Sequence, residues 1–176
     1  IDLTKALTVI RSESQLDGLK KPAEALLTQV EQELKEVEQK RQAEAEQQAS
    51  QAQFAKFADL RDEAQFLGSL YTGMDLSATL KASRSAVYAA LDVYGVSVKE
   101  DVKPALNEHL NEAQKAEIIA DCYQLLLILA ETEARSAGEQ KSPEQVEHLK
   151  NALQLLDQAL RFGAPSRAYH LRRARY

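Results

Sequence analysis

Residues 111–176 read NEAQKAEIIADCYQLLLILAETEARSAGEQKSPEQVEHLKNALQLLDQALRFGAPSRAYHLRRARY, and they carry the clearest helix signals of the chain. Asn111, with Gln114 three residues later, has the pattern of a capping box, in which each side chain binds the backbone N–H of the other residue. The run Ile118–Ala130 that follows is apolar except for one Asp and one Gln. A helix that is apolar on nearly every side must be covered by several neighbours, and this run is shorter than the roughly 20 residues that span a bilayer. We therefore predict a buried central helix that ends near Gly138.

A second helix is predicted from Ser142-Pro143-Glu144-Gln145, which combines a hydroxyl cap, a proline at the first helical position and Gln at the capping-box position. Its apolar stripe, at spacings of three and four, consists of Val146, Leu149, Leu153, Leu156 and Leu160. Gly163 followed by Pro165 is a typical helix stop. Ser166 is placed to cap a third helix, RAYHLRRARY. Because so short a segment is unstable alone, we expect it to dock on its neighbours, and we expect the chain to be part of a longer one.

The N-terminal part is also helical in composition, with no Gly or Pro between Pro22 and Gly68. We predict a break at residues 16–19, with Pro22 in the first turn of the next helix. A heptad-like stripe then follows, formed by Leu27, Val30, Leu34 and Val37. Residues 40–53 carry no large apolar side chain but strongly favour helix. We interpret residues 22–71 as a long helical arm, with a coiled coil as the open alternative.

The apolar face returns in the last third of this arm. Its members, which include an aromatic series spaced for packing, are Phe54, Phe57, Leu60, Ala64, Phe66, Leu67 and Tyr71. A further helix is predicted from Asp75 or Ser77 to about Tyr94, closed by Gly95. We therefore predict an all-α fold without strands, consisting of a helical arm or linker over residues 1–53 and a helical domain over residues 54–176 that is truncated at its C-terminus.

Three segments carry a resemblance to a known family: FADLRDEAQFLGSLYTGMDLSATLKASRSA, CYQLLLILAETEA and ALQLLDQALRFGAPSRAYHLRRARY. They resemble the tetratricopeptide-containing helical region that follows the kinase domain in large bacterial serine/threonine protein kinases. Ala152, Ala159 and Pro165 stand near the small-residue and closing-proline positions of that repeat. The resemblance covers residues 54–176 and implies a tetratricopeptide-like array of antiparallel helix pairs. It also implies a non-catalytic role in binding or scaffolding other proteins.

Composition limits the function classes. The net charge is −5 and the pI is near 5.3, which disfavours binding to nucleic acid. The single cysteine, Cys122, cannot form an internal disulfide, and no secretory signal is visible, so we expect a cytoplasmic protein that does not enter a membrane. The chain has no kinase catalytic loop, glycine-rich phosphate loop or GxSxG motif. We expect no catalytic activity and no cofactor in this chain.

The candidate metal and nucleophile residues are few. His109, His148 and His170 lie in no known metal-binding spacing, so no metal site is expected, and His148 is assigned to the surface. Asp121, Cys122 and His148 could be imagined as a cysteine-nucleophile set, but the apolar surroundings favour core and surface roles for them.

The last sixteen residues contain five arginines and no acid, although the whole chain is acidic. Arg167, Arg172, Arg173 and Arg175 are the candidate protein-binding residues, because a guanidinium suits the oxygens of acidic or phosphorylated segments. The alternative is that they pair with neighbouring side chains. For the chain as a whole, the alternative to a scaffold is a structural protein that self-associates through residues 22–71. A helical-bundle enzyme is disfavoured because no paired acid and base lie on one apolar helix face.

Overall fold

The computed structural model describes Lys5, Thr8 and residues 17–70, 75–98, 103–137 and 143–176. Regular secondary structure in these ranges is entirely helical, which confirms the all-α prediction and its long N-terminal helix. The helices are α1 (Asp17–Ser69), α2 (Leu76–Asp92), α3 (Glu112–Ser136), α4 (Pro143–Ala159) and α5 (Arg167–Arg175). The chain divides into two compact units, residues 1–48 and residues 49–176. The division between residues 53 and 54, and the tetratricopeptide-like pairing, stay predictions.

Helix α1 starts earlier than expected. It is continuous from Asp17 to Ser69, so the predicted break is wrong for residues 17–19, and Pro22 lies inside the helix. Pro22 lacks the N–H that would bind the carbonyl of Gly18, but near a helix end that carbonyl can bind water instead. No residue between Lys21 and Ala49 is buried. This part of α1 is therefore helical because its Ala, Glu, Gln and Lys residues favour helix, not because it covers a core.

Helix α3 is the buried centre of the second unit, as predicted. The capping box between Asn111 and Gln114 is present, with both side-chain-to-backbone bonds formed. Its fully or nearly fully buried apolar residues are Ile118, Cys122, Tyr123, Leu125, Leu126, Leu127, Leu129 and Ala130. Asp121, a polar interruption of the run, accepts a hydrogen bond from Arg61 of α1 at 2.6 Å. The interruption is thus the point at which α1 is fixed to α3 by charge.

The last part of α1 runs alongside α3 in the same direction. Gln114 of α3 donates to Gln51 of α1, and Ile128 of α3 lies against Gly68 at the end of α1. A β-carbon at Gly68 would lie 2.8 Å from the Cγ2 atom of Ile128, so glycine permits a close approach of the two helices here.

Helix α2 packs on α3 and is closed by Gly95, whose φ of 64° is in the left-handed region that glycine adopts readily. Asp75 caps its start by accepting from the N–H of Ala78. The ring of Phe57 on α1 meets Tyr94 edge-on, with centroids 5.2 Å apart.

Not every aromatic residue of the predicted apolar face is covered. Phe57 is fully buried, whereas Phe66 is 62% exposed, so its assignment to the packed face is wrong. Because helical residues nine positions apart point in different directions, the two phenylalanines cannot share one narrow contact surface. Tyr71, the last member of that series, lies outside the described residues, as do Gly138 and Ser142.

Helices α3 and α4 are antiparallel neighbours. His148 near the start of α4 meets Glu133 near the end of α3, and Ser166 after α4 meets Tyr123 farther back in α3. Helix α4 ends at Ala159, earlier than the predicted stop at Gly163. The N–H of Phe162 donates to the carbonyl of Ala159, three residues earlier, and this 3₁₀-type bond replaces the four-residue bond of an α-helix. Helix α5 follows, capped by Ser166 as expected.

Candidate interaction surfaces

Three of the four predicted arginines are paired within the second unit. Arg172 and Arg175 point at the Glu131 carboxylate on α3, at 3.3 and 3.5 Å. Arg173 pairs with Asp157 on α4 and lies over the ring of Tyr169. The geometry therefore supports the neighbour-pairing alternative for these three side chains. Arg167 is exposed on the first turn of α5. Recognition of an acidic segment by this cluster stays a prediction.

Glu131 is the acceptor that joins α3 to α5. Its side chain is 9% exposed and accepts from the Tyr176 hydroxyl at 2.6 Å and from Nε of Arg135 at 2.7 Å. Burial by itself would raise the pKa of Glu131, but the bonds from Tyr176 and Arg135 outweigh it, so that pKa lies below its ordinary value. Burial, followed by the bond to Glu131, raises the pKa of Tyr176. This carboxylate was not singled out in the sequence, because Arg172, Arg175 and Tyr176 follow it 41 to 45 positions later, and only Arg135 is near it in the chain.

Glu133, two residues later, joins α3 to α2 and α4. Its carboxylate accepts from Nη2 of Arg84 at 2.8 Å and lies 2.9 Å from Nδ1 of His148. His148 is therefore half-buried between α3 and α4 rather than on the open surface to which the sequence assigned it. His148 lies on the polar side of α4 and still faces α3, because Glu133 of α3 supplies a carboxylate for it.

A pocket of about 630 Å³ opens beside this cluster, at the start of α2 and the end of α3. It is lined by Leu76, Ser77, Leu80, Lys81, Arg84, Arg135, Ser136 and His148. None of these lining residues is acidic. Sequence reasoning missed the site because its cations come from two helices, although the spacing of Lys81 and Arg84 does place them on one face of α2.

The imagined nucleophile set is not assembled. Cys122 and Glu133 are eleven positions apart on α3, which is about 16 Å along a helix, and His148 lies at Glu133. Asp121 pairs with Arg61 instead. Cys122 is fully buried, and burial, followed by the charge of Asp121, raises its pKa to about 12. Such a thiol is protonated at neutral pH and is a poor nucleophile.

The other two histidines have local roles. The ring of His170 lies edge-on to that of Tyr169, with centroids 5.2 Å apart, and the backbone N–H of His109 donates to the side chain of Asn107. Among the residues that the structure describes, no three His, Cys, Asp or Glu side chains are grouped so that they could hold a metal ion.

The predicted heptad-like stripe on α1 lies in the first unit and is largely exposed. Its exposed members are Leu34 at 57%, Val37 at 48% and Val30 at 39%, and Leu26 beside them is exposed by 57%. The polar faces of this segment are stabilised locally, for example by Gln29 donating to Glu33 at 2.8 Å, four residues along the helix. The stripe is therefore an ordered apolar surface that the described part of its unit leaves open to solvent.

Comparison with protein-family models, with curated proteins and with solved structures gives no match for this chain. None of the described helices is both long enough and apolar enough to cross a lipid bilayer. The resemblance to the helical region of bacterial kinases stays a prediction.

Proposed function

We propose that this chain is a non-catalytic protein–protein interaction module in which the stripe on α1 binds a helix of a partner protein. One observation carries the proposal: no residue between Lys21 and Ala49 is buried, yet the segment displays leucines and valines at heptad spacing. Covering the exposed half of each such side chain would contribute about 1 kcal/mol per residue. A regular apolar stripe on an otherwise charged helix is typical of helix-to-helix recognition.

The flanks of the stripe indicate the chemistry of the partner. With Leu27 and Leu34 in the first core position of the heptad, Glu24, Glu31 and Glu38 repeat every seven residues along one edge. These flanking positions face the flanks of the opposite helix in a coiled coil. A partner with lysines or arginines at those positions would form ion pairs, each contributing a few tenths of a kcal/mol. We therefore expect an amphipathic helix with basic flanks.

Self-association is the second candidate, because the same stripe could pack against a second copy of itself. The flanking charges weigh against it at neutral pH. A parallel pair in register would place Glu33 opposite Glu38 of the other copy, and an antiparallel pair centred on the stripe would place glutamates of the same edge together. Repulsion between like charges would oppose both arrangements. A protein partner with the opposite charge meets no such opposition.

The second unit supports a wider version of this proposal, in which the chain is the scaffolding part of a bacterial serine/threonine kinase. The supporting feature is the antiparallel pair α3 and α4, in which Ala152 and Ala159 are fully buried, as small residues at a helix crossing would be. Kinase association would be tested by the coding sequence on both sides: a kinase domain before this region and further helix pairs after it are expected.

The α1 proposal is tested with a designed peptide of about four heptads that carries leucine or isoleucine at the core positions and lysine at the flanks. We expect the full chain to bind this peptide, and we expect Leu34→Glu to abolish binding. Gln39→Glu is the matched control, since it places the same charge on the opposite face of the same helix and should have no effect.

Two further measurements separate the candidates. A second peptide with glutamate at the flanks should not bind, and equal binding of both peptides would contradict the role assigned to charge. Sedimentation of the chain alone reports self-association. A dimer at micromolar concentration that Leu34→Glu dissociates would favour the second candidate instead.

A further inference from the structure

We propose that the pocket at the start of α2 and the end of α3 binds a phosphorylated serine or threonine side chain of a partner protein. The first ground is the character of its lining, which holds Lys81, Arg84 and Arg135, the ring of His148, and the hydroxyl group of Ser77. None of the described lining residues is acidic, in a chain whose net charge is −5. A pocket lining that is basic and rich in hydrogen-bond donors is not what the acidic composition of the whole chain predicts.

The second ground is that buried carboxylates hold the cations in position. Glu133 binds Arg84 and His148, and Glu131 binds Arg135 at 2.7 Å. Both carboxylates belong to residues that are at most 9% exposed, and neither of them lines this pocket. Arginines fixed in this way lose little side-chain freedom when they bind an anion.

The third ground is an excess of positive charge and of hydrogen-bond donors. Glu133 binds Arg84 and Glu131 binds Arg135, while Lys81 adds a third cation to a lining whose described residues include no acid. Among the described residues, both hydrogen bonds of Arg84 run through Nη2, to Glu133 and to Ser136, and its buried Nε has no acceptor. Because Nε is buried, Nη1 is the atom of this guanidinium that an incoming anion would contact.

The shape and the neighbouring charge favour a phosphorylated peptide side chain. A volume of about 630 Å³ exceeds what a small ion needs, and Leu76 and Leu80 supply an apolar wall for a peptide chain. A dianionic phosphoryl group has three acceptor oxygens and can use more of these donors than a carboxylate can. Nucleic acid fits poorly, because its binding depends on a row of phosphate contacts, whereas the lining of this pocket is one small group of cations in an acidic chain.

This inference takes from the proposed function only that the chain binds partner proteins, since the pocket lies in the second unit and shares no residue with the stripe on α1. The probes are blocked phosphoserine, blocked glutamate and inorganic phosphate, each titrated into the full chain at constant ionic strength. Two-dimensional NMR follows the amides of residues 76–84 and of Ser136. We expect saturable shifts confined to these residues for phosphoserine and inorganic phosphate, with blocked glutamate binding at least about fivefold more weakly.

The decisive variant is Lys81→Glu, because Lys81 is exposed and its replacement leaves the arginine–glutamate pairs intact. We expect it to weaken phosphoserine binding by about tenfold, since it reverses one unit charge within a few ångströms of the ligand. Lys56→Glu is the control with the same charge change at an exposed position on α1, next to the far end of α2, and should bind as the original chain does.

Three results would overturn the proposal: equal binding by Lys81→Glu and the original chain, shifts that do not saturate, or blocked glutamate that binds as tightly as phosphoserine. Leu34→Glu should leave phosphoserine binding unchanged. If phosphoserine fails to bind while the basic peptide still binds at α1, this inference fails and the proposed function stands. If phosphoserine binds and the basic peptide does not, the proposed function fails and this inference stands.

Discussion

Replacing Glu131 by Gln should loosen α5 and lower the stability of the second unit. The substitution keeps the shape of the side chain but removes its charge. In the native chain the carboxylate accepts two short hydrogen bonds, 2.6 Å from the Tyr176 hydroxyl and 2.7 Å from Nε of Arg135. An amide at this position is neutral and has one acceptor oxygen, so its NH₂ group must face either the Arg135 guanidinium, which cannot accept, or the Tyr176 hydroxyl.

The expected loss in the free energy of unfolding follows from these hydrogen bonds. A hydrogen bond to a charged group contributes about 1.5–3 kcal/mol and a neutral one about 0.5–1.5 kcal/mol, so each short bond of Glu131 loses about 1 kcal/mol. Arg172 and Arg175 lie farther away, at 3.3 and 3.5 Å, so each adds at most about 0.5 kcal/mol. We expect the free energy of unfolding to fall by about 2–3 kcal/mol in total.

Two assays test this expectation. Urea unfolding followed by circular dichroism should show a lower midpoint with an unchanged slope. Hydrogen exchange should show faster exchange of the α5 amides, because a nine-residue helix has little stability without its tertiary contacts. Arg167→Gln is the matched control on the same helix, since Arg167 is exposed, and should change stability by less than about 0.5 kcal/mol.

A Glu131→Gln chain that unfolds within about 0.5 kcal/mol of the original, with α5 exchange unchanged, would refute the reasoning. That result would mean that α5 is held by the burial of Tyr169 and not by the carboxylate. A cycle with Tyr176→Phe distinguishes the two explanations, because the substitutions should be coupled by about 1 kcal/mol only if the hydrogen bond matters.

Three other predictions rest on single contacts. Gly68→Ala should destabilise the chain by about 1 kcal/mol in thermal unfolding, although alanine favours helix, because its β-carbon would lie 2.8 Å from Ile128. Gly163→Ala is the control, since its β-carbon would lie 3.5 Å from the nearest atom. Cys122 should react with a thiol reagent at pH 8 at least about a hundredfold more slowly than a free thiol, and rapid labelling of folded chain would contradict its burial. Since the pKa of Tyr176 is raised above its ordinary 10.0, its contribution is fully present below pH 10 and should be lost as pH rises further; Tyr176→Phe should flatten that loss in a pH series of urea midpoints.

Local signals in the sequence predicted the starts of α3 and α5 correctly, although not that of α1. Asn111 with Gln114 and Ser166 with the N–H of Tyr169 form the expected caps, because every atom of a cap lies within about three residues of the others. Boundaries that depend on neighbours were predicted less well. Helix α4 ends before its apolar stripe does, and Leu160, the last member of that stripe, is exposed.

Burial of the aromatic residues also depends on neighbouring helices and was predicted only in part. The sequence placed Phe57 and Phe66 on one apolar face, and only Phe57 is covered, by Tyr94 among others. Periodicity states which residues share a helix face, but the width of the contact depends on how a neighbouring helix crosses it. The sequence of α1 alone does not predict how a neighbouring helix crosses it.

From the sequence alone follow the helical character of the chain, the caps at Asn111 and Ser166, the apolar run at the centre of α3 and the heptad-like stripe on α1, because these depend on propensities and on interactions over at most four residues. Only the tertiary structure decided that Arg172 and Arg175 point at Glu131 and that the basic pocket includes Lys81. The pair formed by Glu131 and Tyr176 spans 45 positions. Contacts at such separations are set by how helices pack, and the linear order of residues does not encode them locally.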